Sequence, residues 1–247
     1  MYDDISHILK NWKFNEHDIN VRLIPGMDGL KKIQLRLDLG LLQMELDGRP
    51  DGKKPQNCES YLDYFQSKVK KRIEKMGSDD FHLSPMDCFK LQQEAVQYYH
   101  RYIALMKLQD YRRVSRDTER NLNVFDFVEQ YADNDEVIWQ FQQYRPYVIM
   151  MNTRARASLQ LDRSRFDSAL KTIERGIKAI ERYNQKWRDR LGPDFPELEF
   201  LQDWYDEIVE KRPLSEKERL TNELNKAIAE ENYERAAKLR DMIASKQ

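Results

Sequence analysis

The sequence predicts an α+β protein that is predominantly α: an N-terminal three-stranded antiparallel β-meander, a bundle of helical hairpins, and a C-terminal helical hairpin set apart from it. Three observations lead there. Glycine and proline number only 8 each in 247 residues, about half the usual share, while charged residues make up 34%; a chain so poor in turn-formers and so rich in charge is mainly helical. Half of these breakers fall within residues 25–55, so that block differs in architecture from the rest. Apolar residues alternate with period two inside it and recur at helical spacing beyond it.

Residues 1–80 form the first region. A short amphipathic lead contains Trp12 and Phe14. Period-two alternation over 19–24 and 31–47 then predicts strands. Ile33, Leu35, Leu37 and Leu39 point one way against Gln34, Arg36 and Asp38; beyond Gly40, Leu42, Met44 and Leu46 alternate with Gln43, Glu45 and Asp47. Pro25-Gly26-Met27-Asp28-Gly29 supplies the first turn, through an Asp-Gly pair that tolerates positive φ, and Asp47 to Gly52 closes the sheet. A sheet with one apolar face needs a cover. The nearest candidate is a helix from Tyr61 to about Met76, with Leu62, Phe65, Val69, Ile73 and Met76 along one side.

Residues 81–212 form the second region. Ser84 and Pro85 suit the N-cap and first helical position of a helix running through Leu91, Ala95, Tyr98, Tyr102 and Leu105. Further helices follow at about 111–132, 135–162, 165–191 and 196–211, and their short connections make neighbours antiparallel. Ser164-Arg165-Phe166-Asp167 fits a capping box. Gly176 sits inside a helix, where glycine costs about 1 kcal/mol relative to alanine; close approach of a neighbouring helix would explain it. Phe166-x-x-Ala169-x-x-x-Ile173-x-x-Gly176 resembles the second helix of a tetratricopeptide repeat, with Ala155 to Leu161 ending the first helix and a weaker copy over Ala104 to Leu122. One or two degenerate repeats, or an ordinary helical bundle, fit this pattern.

Pro213 separates the third region, residues 213–247. Ser215 and Glu218 form a capping-box pair; Leu220, Leu224, Ala227 and Ile228 make one apolar stripe, and after a break at Glu231-Asn232, Tyr233, Ala236, Leu239 and Ile243 make another. Ala236 and Ala237 allow tight backbone approach. Two helices this short bury little apolar area alone, so the hairpin wants a partner. The run Tyr233-Glu-x-Ala236-Ala237-x-Leu239-Arg240-Asp241-x-Ile243, following Leu220-x-x-x-Leu224-x-x-Ala227-Ile228, closely resembles the UVR (UvrB/UvrC) motif. The resemblance implies an antiparallel hairpin through which excinuclease subunits B and C associate, and a partner that carries a UVR-type hairpin or is a second copy of the chain. Its partner-binding residues would be Leu220, Leu224, Ala227, Ile228, Tyr233, Ala236, Ala237, Leu239 and Ile243. Ala227-Ile228 departs from the excinuclease wording. The stretch Ile33 to Glu45 with Asp47 to Gly52 is also similar to a group of uncharacterised bacterial proteins that end in this motif.

Other readings are narrowed by composition. The longest apolar runs, such as Tyr147 to Met151, fall far short of the ~20 residues of a bilayer span, and residues 1–10 lack the pattern of a secretory signal, so the expected location is cytoplasmic with no membrane partner. Cys58 and Cys88 suit buried, reduced thiols. Net charge is −1, unlike a dedicated nucleic-acid binder, although Lys68, Lys70, Lys71, Arg72 and Lys75 could meet an acidic partner. Gly48 to Lys54 fails as a phosphate loop, because three residues separate its glycines and no Ser or Thr follows the lysine. The four histidines lack metal-binding spacing. The expectation is a non-enzymatic interaction protein without cofactor or metal. Two alternatives remain: a repair accessory touching DNA through residues 68–75, or a small-ligand site between the β block and the helices.

Overall fold

The computed structural model describes residues 4–77, 80–214 and 216–244, with the backbone alone for 216–218. The chain divides into two compact units, residues 1–205 and 206–247. Among the described residues no helix is long and apolar enough to cross a membrane, and no group of His, Cys, Asp or Glu is placed to hold a metal ion.

The first unit begins with a short helix α1 (Ser6–Asn11) and strands β1 (Asn20–Pro25), β2 (Lys31–Arg36) and β3 (Leu41–Glu45). They form an antiparallel meander in the order β1-β2-β3. Its register aligns Leu23, Ile33 and Met44 across one face, and Arg22, Gln34 and Gln43 across the other. The first face is apolar, with Ile33, Leu35 and Met44 buried. The second is polar yet also covered: Gln34 accepts from Arg22 Nε (2.9 Å) and donates to Gln43 (3.0 Å), while the guanidinium of Arg22 lies 4.2 Å from the Trp12 ring. Lys32, buried on this face, pairs with Asp28 and Glu45. Leu37 and Leu39 do not extend the strand as the alternation suggested. They belong to a tight turn in which the Leu37 N–H donates to Gly40 O (2.8 Å), and Leu39 is 87% exposed.

A single 3₁₀ turn (Pro55–Asn57) precedes α2 (Tyr61–Met76), whose Ser60 N-cap accepts from the Asp63 N–H. This helix is not the cover of the sheet. With the Trp12 segment on the polar face, α3 (Pro85–Lys107) lies against β1 and β2. The buried residues of α2, Leu62, Phe65 and Val69, join Phe81, Leu91, Val124, Val128 and Phe141 in the helical core. Ile73 and Met76 extend past that core and are exposed.

Helices α4 (Tyr111–Tyr131), α5 (Asp135–Gln142), α6 (Arg145–Leu161) and α7 (Phe166–Lys186) complete the stack, followed by a 3₁₀ turn (Arg188–Arg190) and α8 (Pro196–Lys211). Successive partners run antiparallel. Asn121 donates to Ala95 O and Arg101 pairs with Asp117 between α3 and α4; Arg145 reaches Asp126 and Asn152 reaches Thr118 between α4 and α6; Thr172 reaches Gln160 between α6 and α7. The helix expected over 135–162 is two helices, broken at Gln143–Tyr144. Pro146 stands in the first turn of α6, where its missing N–H costs nothing, and in a continuous helix its ring would clash with the preceding turn. Gly176 is closely approached as expected: a Cβ there would sit 2.7 Å from Thr153 Cγ2 and nearer still to Oγ1.

Two hairpin turns share one construction without glycine. Gln109 and Ser164 adopt positive φ, 58° and 55°, and each donates its N–H three residues back, to Met106 O and Leu161 O. The next residue donates five back: Asp110 to Leu105 O (3.0 Å) and Arg165 to Gln160 O (2.9 Å). These bonds close the preceding helix in the manner of a Schellman motif. Ser164 is therefore spent on the turn and caps nothing. Arg165 holds the N-cap position of α7 without a side-chain bond, so the expected capping box does not form. Ser84 does cap α3, with Pro85 following it in the first turn.

The junction between the β block and the helices is filled by charge. Arg101 and Asp117 are fully buried and joined by two bonds of 2.6 and 2.8 Å, and Arg101 Nη1 also donates to Glu45 O (3.1 Å) and Gly48 O (2.8 Å). Glu94, equally buried, pairs with Arg120 and accepts from the Tyr61 N–H (2.9 Å). A carboxylate suits that helix N-terminus, where peptide N–H groups lack partners.

Candidate functional site

The C-terminal hairpin is built by α9 (Glu216–Ala229) and α10 (Tyr233–Ala244). Its turn repeats the construction found at Gln109 and Ser164. Glu231 takes φ 54°, its N–H donates to Ile228 O (3.0 Å), and the Asn232 N–H donates to Ala227 O (2.8 Å). Asn232 then caps α10 by accepting from the Arg235 N–H (3.1 Å), so the break expected at Glu231-Asn232 is a left-handed residue followed by a side-chain cap. The Ser215–Glu218 capping box lies outside the described residues.

The nine residues proposed for partner binding divide into two sets. Leu220, Ala227, Ala236 and Leu239 are buried in the seam between α9 and α10, with Leu224 and Ile243 partly buried beside them. Ala236 thus serves the closure of the hairpin itself. Ile228 and Tyr233 face outward, 50% and 69% exposed, and Ala237 is exposed one turn beyond Tyr233. Met242, which the apolar stripes did not single out, is also exposed. Around these lies a balanced shell of ion pairs, Lys238–Glu234 (2.8 Å), Arg235–Glu223 (3.6 Å) and Arg219–Glu223 (3.8 Å). Such exposed pairs contribute little stability. Residues 214–247 carry seven basic and seven acidic residues, which ill suits phosphate binding.

The basic stretch on α2 is less available than its sequence implies. Arg72 is held by Asp80 through bonds of 2.5 and 2.9 Å, and the Lys68 ammonium lies over Tyr64 (5.3 Å) and Phe65 (5.9 Å). Lys70, Lys71 and Lys75 are exposed. Cys88 is buried, which pushes its thiol up to about 11, whereas Cys58 is partly exposed.

The hairpin is thus a short, neutral, two-helix element with a narrow internal seam and apolar side chains on its outer face. Comparison with known proteins agrees at the level of the motif: the family model described as UvrB/uvrC motif matches residues 215–247. No curated protein matches the chain, and no solved structure does.

Proposed function

We propose that the chain is a non-enzymatic interaction protein that docks through its C-terminal hairpin onto a UVR-type hairpin, carried by another protein or by a second copy of itself. The observation behind this reading is the division within the hairpin. Its seam consumes Leu220, Ala227, Ala236 and Leu239 and leaves Ile228, Tyr233, Ala237 and Met242 exposed, on the segment that matches the UvrB/uvrC motif. Packing those outward side chains against an equivalent hairpin removes apolar surface from water at about 25 cal/mol per Å². Association with the excinuclease subunits, and through them with nucleotide excision repair, is the role this docking would serve in a bacterial cytoplasm.

The test uses Tyr233→Asp combined with Ala237→Glu, which alters the outer face and spares the seam. Sedimentation of the full chain, alone and mixed with purified UvrB or UvrC, should show a complex that the double variant loses while its helical circular dichroism is unchanged. A chain that stays monomeric and binds neither subunit contradicts the proposal. Salt-dependent binding to duplex DNA that vanishes on replacing Lys70, Lys71 and Lys75 would favour direct DNA contact instead.

A further inference from the structure

A second site lies within the helical stack of the first unit. A cavity of about 560 Å³ opens between α3, α4, α5, α6 and the start of α8, a volume within the range of small-molecule sites. Its wall carries Tyr99 and Tyr102 from α3 and Tyr147 from α6. The Tyr99 and Tyr102 rings meet edge to face at 5.5 Å, and Tyr99 and Tyr147 lie 6.3 Å apart. Tyr102 is only 1% exposed and backs this wall, whereas Tyr99 is 39% exposed.

The charge on the wall has one sign. Its carboxylate, Glu197 at the start of α8, has no ion-pair partner among the described residues, and no lysine or arginine lines the cavity. Of the two arginines nearby, Arg145 pairs with Asp126 and Gln142, and Arg154 stacks on Phe200 at 4.7 Å while its charge still reaches Tyr147. His100, also on the wall, is held below its ordinary value by burial, which keeps the imidazole neutral near pH 7. Aromatic faces present negative potential to a cation, and a carboxylate at the rim adds to it.

We propose that this cavity binds a small organic cation, a quaternary or protonated amine with an apolar body, its charged head over the tyrosine rings and facing Glu197. The apolar body would rest on Val96 and Tyr144, which line the cavity and are exposed. This proposal is independent of the hairpin.

Calorimetric titration of the full chain with choline and with benzyltrimethylammonium tests it, against the neutral isosteres 3,3-dimethylbutan-1-ol and benzyl alcohol. Each cation should bind about tenfold more tightly than its isostere. Glu197→Gln should remove most of that preference, Tyr147→Leu should weaken the cations, and Glu199→Gln, an exposed site on the same helix, should change nothing. Unchanged melting temperatures show that the variants are folded; should Tyr147→Leu unfold, Glu197→Gln decides alone. Equal binding of cation and isostere, insensitivity to Glu197→Gln, absence of binding by either cation at millimolar concentration, or capture of only a polylysine peptide would each overturn the assignment.

Discussion

Gly176→Ala tests whether the α6–α7 contact is as close as the backbone implies. On an exposed helix this change stabilises by about 1 kcal/mol through helix propensity. Here the new methyl would meet Thr153 Cγ2 at 2.7 Å and Cβ at 3.0 Å. Thr153 is 5% exposed, and its branched side chain has few rotamers with which to withdraw. Overpacking of this kind costs about 1–3 kcal/mol. The near-rigid neighbour places it at the upper end, for a net loss of about 2 kcal/mol and a fall in Tm of roughly 4–8 °C for a unit of this size. The decisive measurement is a double-mutant cycle in urea and by thermal melting. Thr153→Ala removes both γ atoms, so Gly176→Ala should become neutral or stabilising in that background, with a coupling of about 2 kcal/mol. A single Gly176→Ala variant that melts above the wild type would refute the close approach and the packing explanation of the glycine.

The remaining predictions concern charge and thiols. Asp117→Leu leaves Arg101 buried without its carboxylate and should cost about 3–5 kcal/mol in chemical denaturation, whereas Arg101→Met with Asp117→Leu should cost far less. Asp47 has its carboxyl held at about 2, chiefly by a hydrogen bond from Arg113 and further by Arg116, against the opposing effect of burial. A lowered carboxyl pKa favours the fold above the ordinary value of about 3.9 and loses that contribution as pH falls through about 2. Denaturation curves of wild type and Asp47→Asn should therefore differ by a constant amount above about pH 5 and converge below it. Ellman's reagent should titrate Cys58 in the native protein and reach Cys88 only in denaturant; two rapid native thiols would contradict the burial of Cys88.

Much of the architecture is legible because it rests on local pattern. The Asp28-Gly29 turn, the alternation through Ile33 and Leu35, the Ser84-Pro85 start and the hairpin break at Asn232 are all set by neighbours in sequence. What escaped depends on tertiary choice. Leu37 and Leu39 continue the alternation on paper, but the hairpin closes between Leu37 and Gly40, and a turn takes precedence over hydrophobic phase. Pro146 breaks its helix because of its ring, while the surrounding apolar period is uninterrupted. Which helix covers the sheet is likewise not a property of α2 alone, since α3 is anchored to the β block by Arg101. At the hairpin, apolar spacing found the stripes but could not separate the seam at Ala236 from the outer face at Ala237. The tyrosine cavity was missed because Tyr99, Tyr102, Tyr147 and Glu197 come from three helices; tyrosines at helical spacing read as packing, and only the tertiary fold brings them together with Glu197.

The recurring turn at Gln109, Ser164 and Glu231 bears on how the chain reaches its fold. Each such turn seals one helix and starts the next within a few residues, so the first contacts of every pair close very small loops at little entropic cost. Contacts between sequence neighbours favour rapid folding. For a chain emerging from synthesis, each pair can form as soon as its second helix is complete.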